Sequence, residues 1–262
     1  MEPFVPSLFF YAIVVGFCEL CRRGCDKYLK NSGSPISPKG FLISAIGALQ
    51  AITCVYENQL VVQHYGLGGF AVTVFLLMNV HRLTNRGCIL SPAAVSERYL
   101  IGQMGLRDCV GVVMAELLGG AFGFKLAGLF WRLGLSDQHF VHYKTFDCVL
   151  AYKTPILMVA LYEFLAVMAI RIIIGYVTKH KPKISTYAIS LSVSLLLTVG
   201  MATVGPIALN PLVAHGRFAG CKGISHYEYA LIYWLAPISG WILGWQVDKR
   251  TVTAPKRHLK KK

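Results

Sequence analysis

The sequence predicts an all-α membrane protein: a six-span bundle of two inverted repeats with two re-entrant half-helices, plus one extra N-terminal hydrophobic span. Three observations support this fold class. The composition is 55% hydrophobic and only 15% charged, whereas charged residues make up about a quarter of a typical soluble domain. Long apolar segments recur along the whole chain, and the second half repeats the pattern of the first. These features exclude a soluble globular protein.

Seven apolar segments are candidates to cross the ~30 Å hydrocarbon core of a bilayer. They lie near residues 4–21, 40–62, 66–80, 109–131, 155–177, 186–206 and 229–247. An alternative for the first is a cleaved signal peptide. Its basic residues, however, follow the apolar run, and no small-residue cleavage site precedes Arg22. We therefore expect residues 4–21 to be a retained span.

The net charge of +14 indicates membrane topology rather than a nucleic-acid partner. If the segments alternate across the bilayer, 19 of the 26 Lys and Arg residues lie on one side and 6 on the other, with Arg171 inside a span. The positive-inside rule then predicts a cytosolic C-terminus. Anionic lipid is the natural partner of such a surface. The Lys-rich end, residues 258–262, matches a dilysine retrieval signal only loosely, because Leu259 holds the fourth position from the end.

An internal repeat relates the two halves at an offset of 119 residues. The offset aligns Ser91-Pro92-Ala93 with Asn210-Pro211-Leu212 and Arg98 with Arg217. The neighbouring spans follow the same offset, so each half has three spans with a proline-containing stretch between the second and third. The expected organisation is an extra span and basic linker (1–39), a first repeat (40–134), a connecting loop (135–154), a second repeat (155–247) and a basic tail (248–262).

Each tripeptide predicts the start of a short helix. Ser91 and Asn210 suit the N-cap position, and the prolines that follow them suit the first helical turn. Helices of about nine residues reach roughly half of the hydrocarbon core at ~1.5 Å per residue. Two such half-helices entering from opposite faces meet near the midplane, where their N-terminal dipoles repel cations and protons. Arg98 and Arg217 are expected at the outer ends, facing the interface.

These features resemble the aquaporin family, the major intrinsic proteins, whose two Asn-Pro-Ala boxes begin half-helices that meet in the pore. The sequence is most similar to the superaquaporin branch, in which the boxes are altered. Further matches are residues 130–135 (FWRLGL), residues 229–237 (YALIYWLAP) and Cys221, nine residues beyond the second box. The resemblance covers about residues 40–247. It implies a passive channel for water and small neutral solutes, a homotetramer in intracellular membranes such as the endoplasmic reticulum, no enzymatic activity and no cofactor.

Departures from the family pattern bear on the permeant. Ser91 replaces the usual Asn, Leu212 is larger than Ala and is expected to narrow the pore, and Val213 stands where water-selective members carry Arg. The resemblance places the rest of the constriction at Ala71, Thr198 and Ile207. Such a ring is wider and less polar than that of a strict water channel. It predicts passage of glycerol or hydrogen peroxide in addition to water.

Four ionisable residues fall within spans or on a half-helix. Glu163 lies 47 residues before the second box, where the resemblance implies a buried glutamate that accepts backbone N–H groups of the re-entrant loop. Its partner by the 119-residue offset is Ser44, so the first half is expected to lack this carboxylate. Glu116 and Arg171 are expected to be packing partners inside the bundle or near the interface. The sequence offers no explanation for Glu97 on the first half-helix.

Two other function classes remain open alternatives. A degenerate aquaporin with an occluded pore, acting as a membrane scaffold, is consistent with the altered boxes. A membrane-embedded transferase is less favoured, because no constellation of His and acidic residues or nucleophile motif has a convincing spacing.

The cysteines and histidines predict no metal site. Cys18, Cys21 and Cys25 lie at a span end, where palmitoylation is favoured over metal binding. His139 and His142 are three residues apart in a loop and show no established metal-ligand spacing. Cys148 and Cys221 both fall on the non-cytosolic side, so a disulfide is compatible with an oxidising lumen but is not required.

Overall fold

The computed structural model describes residues 4–30, 33–134 and 136–253. Across these residues the chain is helical, and β structure is limited to one bridge between Val149 and Lys222. The helices are α1 (Phe4–Tyr28), α2 (Pro38–Thr84), α3 (Pro92–Leu100), α4 (Leu106–Ala121), α5 (Gly123–Arg132), α6 (Asp137–Thr145), α7 (Ile156–His180), α8 (Ser185–Thr203), α9 (Pro211–Phe218), α10 (His226–Ala230) and α11 (Ala236–Thr253), with a π-helical segment, Leu231–Leu235, before α11. The retrieval-like sequence at 258–262 lies outside the described residues.

Six helical segments among the described residues are long and apolar enough to cross a membrane. They are Val5–Tyr28, Pro38–Thr84, Leu106–Arg132, Ile156–His180, Ser185–Thr203 and His226–Lys249. The seven apolar segments of the sequence fall on these six, because segments 40–62 and 66–80 share α2. The predicted all-helical, multi-pass membrane fold is thus confirmed.

Helix α2 is a hairpin of two antiparallel arms rather than one straight helix of 47 residues. Gly66 interrupts it with φ 62° and ψ −163°, a conformation that glycine adopts readily and other residues do not. Gln50 Nε2 donates to Thr84 Oγ1 at 3.1 Å across 34 residues of sequence. A straight helix would hold these residues roughly 50 Å apart, at ~1.5 Å per residue. The arms 38–65 and 67–84 therefore cross the bundle in opposite directions.

Helix α1 is integrated into the first half by buried polar contacts. Arg22 is 0% exposed, and its Nη2 donates to Gln50 Oε1 at 2.6 Å. Near the other end of α1, Tyr11 Oη donates to Asn58 Oδ1 at 2.6 Å. The charge pattern assigns Arg22 to a basic linker outside the bilayer. In the structure this residue is instead buried among the helices, where it also donates to Asn85 Oδ1 at 3.4 Å and to Glu19 Oε2 at 3.5 Å.

The internal repeat is visible in helix packing as well as in sequence. A side chain on Gly119 would overlap the carbonyl of Ala45, and one on Gly240 would overlap the carbonyl of Phe164. Ala45 and Phe164 are 119 residues apart, whereas Gly119 and Gly240 are 121 apart. The last span of the second half is therefore shifted by two residues from the 119-residue offset that the sequence predicts. The π-helical segment Leu231–Leu235 lies within this span, before Gly240, and π-bulges interrupt the regular α-helical register.

Each half has its own apolar core. The first surrounds Trp131 and Ile52, and the second surrounds Tyr233 and Val159, all of them fully buried. Val213 on α9 packs against both cores. The re-entrant helices thus lie where the two halves meet.

Candidate permeation site

The two tripeptides begin short helices, as their N-cap residues require. Ser91 Oγ accepts from the backbone N–H of Ala94 at 3.4 Å at the start of α3. Asn210 Oδ1 accepts from the backbone N–H of Leu212 at 3.0 Å at the start of α9. The preceding residues, Leu90 and Leu209, have φ of 52° and 53°, which is uncommon for residues other than glycine. The same strained turn therefore occurs at equivalent positions of both halves.

Buried carboxylates hold these strained turns. Glu163 accepts from the backbone N–H groups of Ala208 and Leu209 at 2.6 and 2.9 Å. Glu116 on α4 accepts from the N–H of Leu90 at 2.8 Å, and both glutamates are 0% exposed. The expectation that the first half lacks a supporting carboxylate is wrong. Glu116 on α4 supplies this carboxylate, whereas the 119-residue alignment points to Ser44 on α2.

The two re-entrant loops are hydrogen-bonded to each other. Asn210 Nδ2 donates to the carbonyl of Leu90 at 2.8 Å. An amide nitrogen carries two N–H donors, so one is committed to this contact and the other remains for a solute. Ser91 contributes a hydroxyl on the opposite half-helix. The two halves thus meet through side-chain and backbone groups at the starts of α3 and α9.

A cavity of about 1070 Å³ is lined by residues of both halves. Its lining includes Arg82 near the end of α2 and, beyond α6, Asp147 and Lys153. The chain crosses the bundle once, through α4 and α5, between Arg82 and Asp147. Arg82 therefore lies at one end of the cavity, and Asp147 and Lys153 lie at the other. Ser91 and Asn210 also line the cavity. The boxes therefore border a space that extends towards both sides of the bundle.

Of the four residues expected at the constriction, two line this cavity, Ile207 and Val213. Ala71 and Thr198 are not among its described lining residues, whereas their neighbours Phe70 and Leu197 are. Successive side chains on a helix point about 100° apart. A one-residue error in the alignment with the family therefore explains why Phe70 and Leu197 face the cavity in place of Ala71 and Thr198. The Thr198 hydroxyl instead donates to the Ser194 carbonyl of its own helix at 2.8 Å. The wall is accordingly apolar at these positions.

Leu212 is accommodated mainly within the protein. It is 1% exposed and belongs to the first-half core, although it also borders the cavity. A Cβ on Gly120 would lie 3.1 Å from a Leu212 methyl group. The absence of a side chain at Gly120 thus provides room for the larger residue of the second box.

The two equivalent arginines have different environments. Arg98, at the outer end of α3, is exposed. Arg217, four residues beyond Val213 on α9, lines the cavity rather than extending to the interface as expected. The sequence treats the two arginines as equivalent, and only their surroundings in the structure distinguish them.

Cys148 and Cys221 form a disulfide. The backbone N–H of Lys222 donates to the Cys148 carbonyl at 2.9 Å, and the N–H of Leu150 donates to the Lys222 carbonyl at 2.9 Å. The connecting loop is therefore fixed to the segment that follows α9. This resolves the alternative that the sequence leaves open.

A buried ion-pair network explains Glu97. Arg171 on α7 donates through Nε and Nη2 to both oxygens of Glu97 at 2.7 Å. Its Nη1 donates to Asp248 at 3.2 Å, and Trp241 Nε1 donates to Glu97 at 2.6 Å. A side chain on Gly175 would overlap Asp248. The network joins the first-half helix α3 to α7 and α11 of the second half.

A second buried network involves the histidines of α6. Glu57, 0% exposed, accepts from Ser7 Oγ at 2.6 Å and Trp131 Nε1 at 2.7 Å, and its other neighbour is His139 Nε2 at 2.9 Å. Burial lowers the pKa of His142, which packs edge-on against Trp131. Across the described parts of the chain, no cluster of His, Cys, Asp and Glu has the geometry to hold a metal ion. The contacts of His139 with Glu57 and of His142 with Trp131 join α6 to the bundle.

Comparisons with known proteins identify relatives along nearly the whole chain. No family model matches the sequence. Aquaporin-10 of Caenorhabditis elegans is 30% identical over 248 residues, which cover 92% of this chain and 85% of that protein. Aquaporin-11 of Milnesium tardigradum is 23% identical over 95% of this chain and 88% of its own length. Aquaporin-12 of Mus musculus is 27% identical over 91% and 83%.

A solved structure has the same fold. The aquaglyceroporin from Plasmodium falciparum matches with a TM-score of 0.52 and 15% identity, over 81% of this chain and 91% of that one. The sequence relatives and the fold agree with the resemblance drawn from the two boxes. The chain therefore belongs to the aquaporin family, in its superaquaporin branch, and is a multi-pass membrane channel for water or small solutes, not an enzyme.

Proposed function

We propose that the channel conducts glycerol and hydrogen peroxide in addition to water. The observation that carries this proposal is the apolar lining of the cavity beside the second box, at Phe70, Leu197, Ile207 and Val213. Water that enters a narrow pore loses hydrogen bonds to other water molecules, and an apolar wall replaces fewer of these bonds than a polar wall does. The same apolar wall accommodates the carbon atoms of a polyol. We place the constriction at these four residues, with Ala71 and Thr198 behind two of them.

Proton exclusion in this proposal comes from the facing half-helices. The N-termini of α3 and α9 carry partial positive charge, and Ser91 and Asn210 border the cavity at these ends. The Asn210 amide has one N–H left to donate to a passing oxygen, and Ser91 has a hydroxyl. These donors orient the solute without offering a continuous chain of acceptors to a proton.

The test is stopped-flow flux in proteoliposomes of the full chain. The proposal predicts flux of water, glycerol and hydrogen peroxide above that of empty liposomes, with little proton leak. Fast water flux without glycerol or peroxide flux would contradict it.

A scaffold with an occluded pore is the second candidate function. The hydrogen bond between Asn210 and the Leu90 carbonyl favours it, because it joins the two loops where a solute must pass. Ser91→Asn combined with Leu212→Ala discriminates between the candidates. Flux that rises from nothing in this variant would assign the scaffold role to the native protein.

We also propose a homotetramer in the endoplasmic reticulum membrane with a cytosolic C-terminus. The charge pattern supports the orientation, since 19 of 26 basic residues fall on the C-terminal side. Location and assembly are supported by the resemblance to the superaquaporin branch. Fluorescence imaging with organelle markers and cross-linking in native membranes test them separately.

A further inference from the structure

One face of α9 lines the cavity along its whole length. Asn210, Val213 and Arg217 all border the cavity, and their spacing of three and four residues places them on the same side of a helix. Arg217 lies one turn outward from Val213, about 6 Å along the helix axis at ~1.5 Å per residue. We call the end of the cavity lined by Asp147, Lys153 and Arg217 the outer mouth.

The Arg217 guanidinium is held by aromatic rings and a neutral amide. Its Cζ lies 4.9 Å from the ring centre of Tyr56, 5.4 Å from that of Phe146 and 5.7 Å from that of Phe218. Nη2 donates to Gln59 Oε1. Nη1 also lies 3.6 Å from the Cys148 sulfur, a weak acceptor. Guanidinium carries five N–H donors, so these two contacts leave the other donors for further acceptors. Because aromatic rings and amides carry no net charge, the cation is positioned without being neutralised.

The charged side chains that line the cavity are predominantly cationic. They are Arg82, Lys153, Arg217 and Asp147. Asp147 is itself bonded to Lys222 at 3.2 Å, whereas none of the ion pairs found between described residues includes Arg217. Lys153 Nζ donates to the carbonyls of Met201 and Ala202 at 3.0 Å. The outer mouth therefore carries a net positive charge.

We propose that Arg217 is the specificity-determining cation of the outer mouth. Its unneutralised charge excludes cationic solutes, and its remaining N–H groups bind solute oxygens of neutral or anionic character. Val213, one turn further in, contributes only apolar wall. Charge selection thus occurs outside the narrow apolar region instead of within it. This inference rests on the proposed function in that the cavity is taken as the permeation path.

Thiol modification tests the charge of the outer mouth without requiring flux. A cysteine is introduced as Val213→Cys in full-length protein carrying Cys54→Ser and Cys88→Ser, since these two free cysteines line the cavity. The third lining cysteine, Cys148, is held in the disulfide. In proteoliposomes, the modification rates with anionic sulfonatoethyl and cationic trimethylammonioethyl methanethiosulfonate are compared, each corrected for its rate with a small free thiol. One unit charge about 6–8 Å away at a surface-like dielectric predicts a preference for the anionic reagent of about tenfold or more.

Three variants locate the source of that preference. Arg217→Gln is expected to lower the ratio several-fold, to the part that Lys153 and the half-helix dipoles contribute, and Arg217→Lys is expected to retain most of the native ratio. Arg98→Gln is the matched control, because it removes the same charge from the equivalent position of α3, which is exposed. A ratio near one in the parent protein, or an unchanged ratio in Arg217→Gln, would overturn the proposal, as would an equal loss in Arg98→Gln.

The parent protein, which carries Val213→Cys with Cys54→Ser and Cys88→Ser, keeps the native Arg217. Its ratio of modification rates therefore tests the proposal even if Arg217→Gln cannot be reconstituted. Its anion preference is also expected to fall as salt rises from 10 mM to 1 M, where the Debye length shrinks from ~30 to ~3 Å. Water and glycerol flux are measured in separate liposomes of the native chain, because Val213→Cys changes a residue of the proposed constriction. Absent flux with a clear anion preference would refute the proposed function alone, whereas flux without the preference would refute only the role of Arg217.

Discussion

The side-chain amide of Asn210 donates to the backbone carbonyl of Leu90 at 2.8 Å, so the residue that caps one half-helix binds the loop that opens the other. The N–H of Leu90 in turn donates to Glu116, and Glu163 holds the loop that leads to Asn210. A buried carboxylate in each half thus supports one side of this contact. The geometry at the centre of the cavity depends on both halves together.

Asn210→Asp is expected to reduce solute flux and to destabilise the protein. The substitution places a carboxylate oxygen against the Leu90 carbonyl in place of an N–H donor, and loss of a buried hydrogen bond costs about 1–3 kcal/mol. Stopped-flow flux and thermal unfolding in detergent measure the two effects. Asn79→Asp is the control for flux, because it also loses an amide hydrogen bond, but one to the Phe75 carbonyl of its own helix arm. Equal losses of flux at both positions would contradict a role for the contact between the loops.

Glu163→Gln is expected to destabilise the protein more than Glu116→Gln does. Glu163 uses both oxygens to accept backbone N–H groups, whereas Glu116 uses only one. Gln keeps one acceptor and turns the other into a donor. We expect a loss of about 2 kcal/mol or more at Glu163 and less than about 1 kcal/mol at Glu116. Thermal unfolding of the two variants side by side checks the order, and a reversed order would refute the assignment.

Glu97 and Arg171 are expected to be strongly coupled. Removing Arg171 leaves the largely buried Glu97 carboxylate without a cation, whereas removing Glu97 leaves Arg171 paired with Asp248. We therefore expect Arg171→Ala to cost about 3 kcal/mol or more and Glu97→Ala to cost less. The double variant should cost much less than the sum, with a coupling energy of about 1–3 kcal/mol in a double-mutant cycle. Asp147 and Lys222, an exposed pair at 3.2 Å, serve as the control with an expected coupling below about 1 kcal/mol. Additive effects of Glu97→Ala and Arg171→Ala would show that the pair does not join the halves.

Cys148→Ser is expected to abolish the mobility difference between reduced and non-reduced protein on gels. It should also lower the free energy of unfolding by about 2–4 kcal/mol, since the disulfide closes a long loop of chain. Cys25→Ser, which changes a free cysteine, is the control and should leave the mobility difference intact. Persistence of that difference in Cys148→Ser would contradict the Cys148–Cys221 pairing.

The bundle and the two half-helices follow from patterns that sequence carries directly. Apolar length predicts the spans, and Ser91 and Asn210 before proline predict the helix starts. Contacts between distant segments do not follow in this way. The repeat aligns Glu163 with Ser44, so it predicts no carboxylate in the first half. Glu116 supplies one from α4, because the Leu90 loop requires only a nearby acceptor and not one from a particular helix.

Side-chain direction is the other feature that the sequence does not determine. The resemblance to the family places Ala71 and Thr198 at the constriction, but in the structure their neighbours Phe70 and Leu197 line the cavity. Arg22 likewise belongs to a basic run in sequence, yet it is buried. Its location depends on the side-chain amides of Gln50 and Asn85, which become neighbours only when α2 folds back at Gly66.

The most direct test of the account is stopped-flow flux of water, glycerol and hydrogen peroxide through proteoliposomes of the native chain, with Asn210→Asp as the impaired comparison. The account predicts that all three solutes cross the native protein faster than empty liposomes and that the variant loses most of this flux. Native flux indistinguishable from that of empty liposomes would contradict an open channel.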